Sequence, residues 1–462
     1  MKKILYFSLL LGVALSYTSC KDDEDLLFNE SAAERLNQIK SVYSQRLWAS
    51  PNGWAMQYYP TYENEAPYGT GYLMICDFNE DYSVRVAMNN AATNNTYKED
   101  VSEWEVITDN GPVLTFNSFN SVLHTFSNPE DIQSTTGETE TGRGYEGDYE
   151  FVIVDAPEDA SYMMLKGKKR GTYSLLTPME DDVNYEEYLT DIRDFHNLMF
   201  ATDSPTFDII YFGDNKYKLE DANNGIPNIY PYEGDAILDE SFNPFLITKR
   251  GDDYYLRFRD KFKVNEEETV QDFRYDRTKD IFVSVDNESY YMDGDSPARF
   301  YMETVKKNNG VWDISTKKDE ASEKFLQAYN SLAADFKADG TPLRGLKISW
   351  NKDKNETDYS YSLTLQYRDK GKSNDAIYVI ESTSENENVT YNYVGALVSG
   401  QNLLNDIPTI QDFLNLMCQE FTVTASKTKF NLNTLRFTSN SDPDFWFTIV
   451  FDANEDVEVG NL

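Results

Sequence analysis

Histidine is almost missing from this sequence: His124 and His196 are the only two in 462 residues. A histidine metal cluster or a Ser/His/Asp arrangement needs an imidazole beside further ligands or a nucleophile. Two isolated histidines, one in a β-rich stretch and one in a helical one, supply neither and read as packed or surface residues. Cysteine is scarce as well. Besides Cys20 there are only Cys76 and Cys418. Each of the two lies in an apolar run, so they read as buried free thiols or as one bridge, and no disulfide framework is implied. Positive charge is the third shortage: 42 lysines and arginines stand against 79 acids, a formal net charge of −37. A field of that sign repels phosphate backbones, which argues against nucleic acid as a partner. No Walker loop, dinucleotide fingerprint, Gly-x-Ser-x-Gly or His-Glu-x-x-His spacing occurs, so no catalytic residue is nominated. A carboxylate-dependent hydrolase survives only as an alternative, because 79 acids give no means of choosing two at a working separation.

Long hydrophobic runs are absent except at the start. Lys2 and Lys3 precede the apolar run Ile4 to Ala14, which has the form of a secretory leader and is too short for the ~20 residues that span a bilayer. Thr18-Ser19-Cys20 then resembles the cleavage neighbourhood of a bacterial lipoprotein, although Tyr17 stands where the commonest pattern has Leu. The resemblance implies a signal peptide over 1–19 and a diacylated (palmitate-type) Cys20 at the mature N-terminus. Lys21, Asp22, Asp23 and Glu24 resemble the acidic signal that sends Bacteroidetes lipoproteins to the cell surface, and a like-charge run is in any case an extended leash. The expected place is the outer membrane, lipid-anchored and facing outward, beside an outer-membrane protein partner.

The remaining pattern predicts a mainly β chain with a few amphipathic helices (α+β), in antiparallel hairpin-rich sheets or partial barrels. Ser31 with Glu34 forms a capping box for a helix to Trp48, with Leu36, Ile39, Tyr43 and Leu47 on one face. Further helices are expected over Tyr185–Ala201, Ser322–Lys337 and Ile410–Cys418. Short runs rich in Tyr, Val, Ile and Phe between turn clusters predict hairpins almost everywhere else. Ser289–Asn309 reads as an irregular connection. Aligning Glu34 with Glu323 superposes two helix-then-strand patterns, which suggests two related halves, each led by a helix. The domain expectation is a tether over 20–30, a helix plus β domain over 31–205, a middle β section over 206–310 packed on the first, and a helix plus β domain over 311–462.

Three features stand out from the acidic background. Lys166, Lys168, Lys169 and Arg170 concentrate positive charge, and in an extended strand Lys166, Lys168 and Arg170 would line one face, a candidate site for a uronic acid, sulfate or phosphate. Internal pairing with the abundant carboxylates is the alternative. Tyr58, Tyr59, Tyr62, Tyr230 and Tyr232 sit in tyrosine-rich segments expected to be exposed and to contact a ligand. Asn351-Lys352-Asp353-Lys354-Asn355 and Asp452-Ala453-Asn454-Glu455-Asp456 carry the first three ligand positions of a calcium loop and lack the glycine and the closing glutamate. No cofactor is expected, and calcium is the one cation for which the chain has suggestive ligands.

The early helix followed by Asn52-Gly53-Trp54, the segment Gly144-Tyr145-Glu146-Gly147-Asp148-Tyr149 and the segment Leu165 to Gly171 together resemble a family of Bacteroidetes lipoproteins classed as a domain of unknown function. The resemblance implies no activity. The functional expectation is a non-catalytic surface lipoprotein that binds an extracellular glycan or peptide for an uptake or adhesion system, with a structural subunit of a surface assembly as the alternative.

Overall fold

The computed structural model describes residues 31–109, 111–129, 142–200, 207–232, 243–265, 267–294, 296–307, 311–352, 359–426, 429 and 432–452. The leader, Cys20 and the acidic run lie outside these residues. Two compact units divide the chain. Unit one gathers the chain up to Asp194 with Asn224–Ile226 and Phe242–Asp272; unit two holds Phe195–Asn223, Pro227–Ser241 and Phe273 onward.

In unit one, α1 (Ala32–Trp48) begins at Ser31, whose side chain accepts from the Glu34 amide while Glu34 reaches back to the Ser31 amide. After Gly53, held at φ +72°, the chain enters a closed antiparallel barrel of eight strands. These are β1 (Trp54–Tyr58), β2 (Tyr72–Phe78), β3 (Ser83–Met88), β4 (Lys98–Thr108), β5 (Pro112–Phe116), β6 (Glu150–Asp155), β7 (Met163–Gly167) and β8 (Tyr173–Pro178). Closure comes from pairing β1 with β8, Trp54 opposite Pro178. The expected partial barrel is therefore complete, and no strand edge is left open.

Alternation along each strand sends one set of side chains inward. Trp54, Met56, Tyr58, Tyr72, Met74, Cys76, Val84, Val86 and Leu114 belong to one buried cluster, and Leu47 of α1 joins them at 0 % exposure. The C-terminal turns of α1 thus close on the barrel interior, while Leu36 and Ile39, expected on the same packed face, are 38 % and 37 % exposed. Only the half of the stripe nearest the barrel is used. Residues 185–194 of α2 (Tyr185–Met199) lie on the barrel's outer side: Tyr185 Oη donates to Asn52 O, Arg85 stacks over the Tyr185 ring, and Asn89 bonds Thr190. Arg85 alternates with inward Val84 and Val86, so this face of β3 looks outward.

A second sheet is open and antiparallel, in the order β11-β10-β9-β16-β15-β14-β13-β12. Its strands are β9 (Ile209–Phe212), β10 (Asn215–Glu220), β11 (Asn228–Pro231), β12 (Phe245–Arg250), β13 (Asp253–Lys263), β14 (Thr269–Asp276), β15 (Ile281–Ser284) and β16 (Tyr290–Asp293). The boundary between the units falls within β14.

Unit two ends in another closed eight-stranded barrel. The chain reaches it through α3 (Pro297–Lys307), then runs β17 (Val311–Ile314), α4 (Glu323–Ala338), β18 (Leu343–Lys352), β19 (Tyr359–Asp369), β20 (Lys372–Glu385), β21 (Asn388–Ala396), α5 (Val398–Asp406), α6 (Thr409–Met417), β22 (Glu420–Ala425), β23 (Thr434–Ser439) and β24 (Trp446–Asp452). The expected irregular connection over 289–309 is a strand and a helix. Ser296 accepts from the Arg299 amide and Pro297 takes the first helical position, a start signal legible in the sequence. Ala298, Tyr301, Met302 and Val305 then fall at helical spacing on one buried face.

Both barrel interiors are filled by side chains. In the second, Tyr391 Oη donates to Tyr301 Oη at 2.7 Å, and the Tyr391, Phe437 and Phe447 rings stack successively at 6.1 and 5.5 Å. Phe325, Leu332 and Phe336 of α4 are fully buried with them. Large fully buried aromatics occupy the space that a ligand takes up in a hollow barrel of this strand number. Any ligand site in the described residues is consequently on the outside.

Candidate functional site

Of the basic cluster of unit one, only Lys166 lies on a strand. β7 ends at Gly167, and Lys168-Lys169-Arg170 form the turn to β8. The anion in that turn belongs to the chain itself. Asp148 is 5 % exposed; its Oδ1 accepts the Lys169 amide at 2.9 Å and its Oδ2 the Arg170 amide at 2.7 Å. Gly167 is needed for this approach, since a Cβ there would stand 2.2 Å from Asp148 Oδ2.

The cations are answered by carboxylates. Lys168 Nζ lies 2.8 Å from Asp109 and 3.3 Å from Glu150, and Arg170 Nη2 lies 2.5 Å from Glu146. Glu146 also meets Arg143, which stacks 3.7 Å over the Tyr68 ring. Lys166, Lys168 and Lys169 are exposed and Arg170 is half-buried, with Lys166 Nζ 5.4 Å over the Tyr173 ring. Behind the turn, Tyr58 Oη donates to Asp148 O at 3.0 Å, and Gly147 leaves room for that hydroxyl. The segments around Gly144–Tyr149 and Leu165–Gly171 are thus two sides of one interlock, beside an open cleft of about 610 Å³.

Removing the Asp148 carboxylate strands two half-buried amides. Asp148→Ala is expected to lower the denaturation midpoint of unit one, at a cost of about 2–4 kcal/mol, because each unsatisfied donor costs about 1–3. Asp148→Asn, which keeps one acceptor oxygen, should recover part of this. An unchanged urea midpoint in Asp148→Ala would show that the turn holds without its anion.

The tyrosines divide. Tyr58 and Tyr59, expected to be exposed, are 0 % and 3 % exposed; alternation in β1 turns Tyr58 into the barrel, and burial pushes both phenols well above their ordinary pKa. Tyr62 is exposed beneath the Arg259 guanidinium. Tyr230 and Tyr232 are half-buried at β11 and just beyond it.

Tyr232 lines the larger cleft, about 780 Å³, which lies wholly in unit two and is also lined by Tyr211, Lys216, Asp293, Arg299 and Lys429. Strand register builds this wall. Tyr291 of β16 stands opposite Tyr211 of β9, Tyr211 opposite Lys216 of β10, and the Tyr232 amide donates to Lys216 O at 3.1 Å. Directly opposed residues share a face, so Tyr291, Tyr211, Lys216 and Tyr232 form one row across four strands. Tyr211 and Tyr291 stack at 4.3 Å and 11°. Lys216 Nζ lies 5.3 Å from the Tyr211 ring and 5.2 Å from the Tyr232 ring, and Arg299, in the first turn of α3, lies 4.1 Å over Tyr232.

Sequence reasoning nominated Tyr232 and missed the rest of the row. The signal was the tight hairpin: Gly213, at φ +61°, and Asp214 form the two-residue loop that fixes Tyr211 against Lys216.

The histidines are packed. His124 lies between the Phe119 and Tyr149 rings at 5.3 and 5.1 Å, and His196 Nε2 meets Asn223 O at 3.1 Å; burial lowers both pKa values. Cys76 is buried, Cys418 is half-buried, and both are free thiols. Among the described residues no group of three or more His, Cys, Asp or Glu side chains is placed to hold a metal. Most of the two candidate calcium loops lies outside those residues.

Comparison with known proteins gives no match among curated sequences. Two solved structures are similar at a very low level: intact Ap-TbpB with its N and C lobes, at 9 % identity and TM-score 0.14 over 86 % of this chain and 75 % of that one, and a transferrin-binding protein B double mutant from Haemophilus parasuis Hp5, at 8 % and 0.12 over 86 % and 74 %. Scores this low do not mark a shared fold. The sequence family is firmer: the domain of unknown function DUF4302 matches residues 24–277. That is more than half of the 462 residues, and the chain belongs to the DUF4302 family.

Proposed function

We propose that this protein is a lipid-anchored, non-catalytic component of the outer cell surface that binds an extracellular glycan in the unit-two cleft, as an accessory to an outer-membrane uptake or adhesion system. Support for the location comes from the leader and the Cys20 junction with its acidic run. The reading rests above all on one observation: the cleft of about 780 Å³ is lined by Tyr211, Lys216 and Tyr232 of the row, with Arg299 at its end and Tyr291 stacked on Tyr211. Phenol hydroxyls, a guanidinium, an ammonium and the Asp293 carboxylate converge there, and sugar hydroxyls need such a mixture of donors and acceptors beside apolar ring surface.

Tyr232 is the residue to remove, because both Lys216 and Arg299 are held against its ring. Tyr232→Ala is expected to weaken binding of whichever glycan an array identifies by about tenfold, the loss typical of a central contact worth over 1 kcal/mol. Calorimetric titration of the mature protein is the check. Retention of full affinity in Tyr232→Ala, or an array with no bound glycan, would remove this site from consideration.

A further inference from the structure

We infer that the row in the unit-two cleft selects a carboxylate-bearing saccharide, with Lys216 as the residue that receives the carboxylate. The inference rests on the glycan reading above and adds the charge class of the ligand. Three cations line the cleft. Lys429 Nζ is 2.9 Å from Asp293 and Arg299 Nε is 3.0 Å from Glu303, so two are matched by neighbouring carboxylates. Lys216 differs. Its ammonium lies against the faces of Tyr211 and Tyr232 and has no carboxylate partner among the described residues.

Ring faces attract a cation without neutralising it, and they leave its three N–H donors free to bond elsewhere. The sheet fixes where this charge sits. Lys216 is exposed and occupies the third of four positions in the row, with a phenol on each side. An oxyanion above Nζ would meet the ammonium together with flanking hydroxyls, a charge-assisted site stronger than neutral hydrogen bonds. The rest of the molecule sharpens the selection. In a chain of net charge −37 an acidic ligand is repelled from most of the surface, so a cation held outside an ion pair determines where it settles.

The unit-one cluster supplies the contrast. There the turn amides already hold Asp148, and Lys168 and Arg170 are paired with acids. The same residue types are spent on internal anions, whereas in unit two the central lysine is held between rings. A saccharide long enough to follow the row would cross about three strand spacings, roughly 14 Å.

The experiment is titration of the mature protein with hexagalacturonate, its fully methyl-esterified form, sulfated maltohexaose and an acidic hexapeptide. Hexagalacturonate is expected to bind about tenfold or more tightly than its ester, Lys216→Met to abolish that difference, and Lys216→Arg to restore it. Lys166→Met, in unit one, should leave it unchanged. Equal tightening by the sulfated sugar would still support the site and would widen its class to saccharide oxyanions. Equal binding of acid and ester, unaltered by Lys216→Met, would overturn the inference. If that binding were still lost in Tyr232→Ala, the glycan reading would survive alone. Preference for the acidic peptide over every saccharide, or binding of none of the four, would overturn both.

Discussion

Replacing Trp54 by alanine is expected to destabilise unit one by about 4 kcal/mol, the range found when a large buried aromatic is deleted from a core that relaxes only partly. Trp54 is 0 % exposed and opens β1, the strand that closes the barrel by pairing with both β2 and β8. It has a second role. Its indole Nε1 donates to Leu47 O at 2.7 Å, tying the last turn of α1 to the barrel interior. Deletion therefore leaves a cavity beneath the helix and a carbonyl without its donor. Trp54→Phe should fill most of the space and lose only the hydrogen bond, costing about 1–2 kcal/mol. Urea denaturation followed by circular dichroism reads both variants. A Trp54→Ala protein with the parent midpoint would mean that α1 and β1 are held by something other than this residue.

Much of the architecture was legible because it is local. Alternation located nearly every strand, and the capping box at Ser31 and Glu34 placed the start of α1 correctly. Barrel closure was not legible: it depends on pairing Trp54 with Pro178 and Val311 with Asp452, and no short-range pattern encodes contacts that distant in sequence. The expectation of two halves each led by a helix met the same limit. Two closed barrels exist, but α1 precedes the first strand of its barrel whereas α4 lies between β17 and β18. The superposed helix patterns reflect what an amphipathic helix needs in order to pack, and they do not mark equivalent places in a topology.

The site was half legible for a related reason. Composition drew attention to Lys166–Arg170, yet charge density gives no account of partners, and Glu146, Asp109 and Glu150 supply them from other segments. Lys216 stood out in no composition window. Its neighbours come from register across four strands, with Arg299 added from a helix that begins at an overlooked Ser-Pro start. A single lysine held by two rings is invisible until the hairpin Phe212–Asn215 fixes which residues face each other.

Cys20→Ala is the substitution with the most complete expected outcome: the protein should move from the membrane fraction to the soluble fraction. Acyl chains at Cys20 would contribute about 0.8 kcal/mol for each buried CH₂, and more than one chain is needed for stable anchorage. No described helix is long and apolar enough to cross a membrane. Electrostatics works against residual association. Cleavage after Ser19, as proposed, would remove Lys2 and Lys3 and no acid, taking the formal charge from −37 to −39, a sign repelled by anionic lipid heads. On the proposed reading, the acidic run sets sidedness and Cys20 sets anchorage. Asp22→Ala, Asp23→Ala and Glu24→Ala together should keep the protein in the membrane fraction but protect it from protease added to intact cells, while the parent is digested. Retention of Cys20→Ala in the membrane fraction would point to an anchor elsewhere in the chain. Digestion of the triple variant at the parent rate would show that the acids serve only as a solvated leash, so that surface display would require another signal.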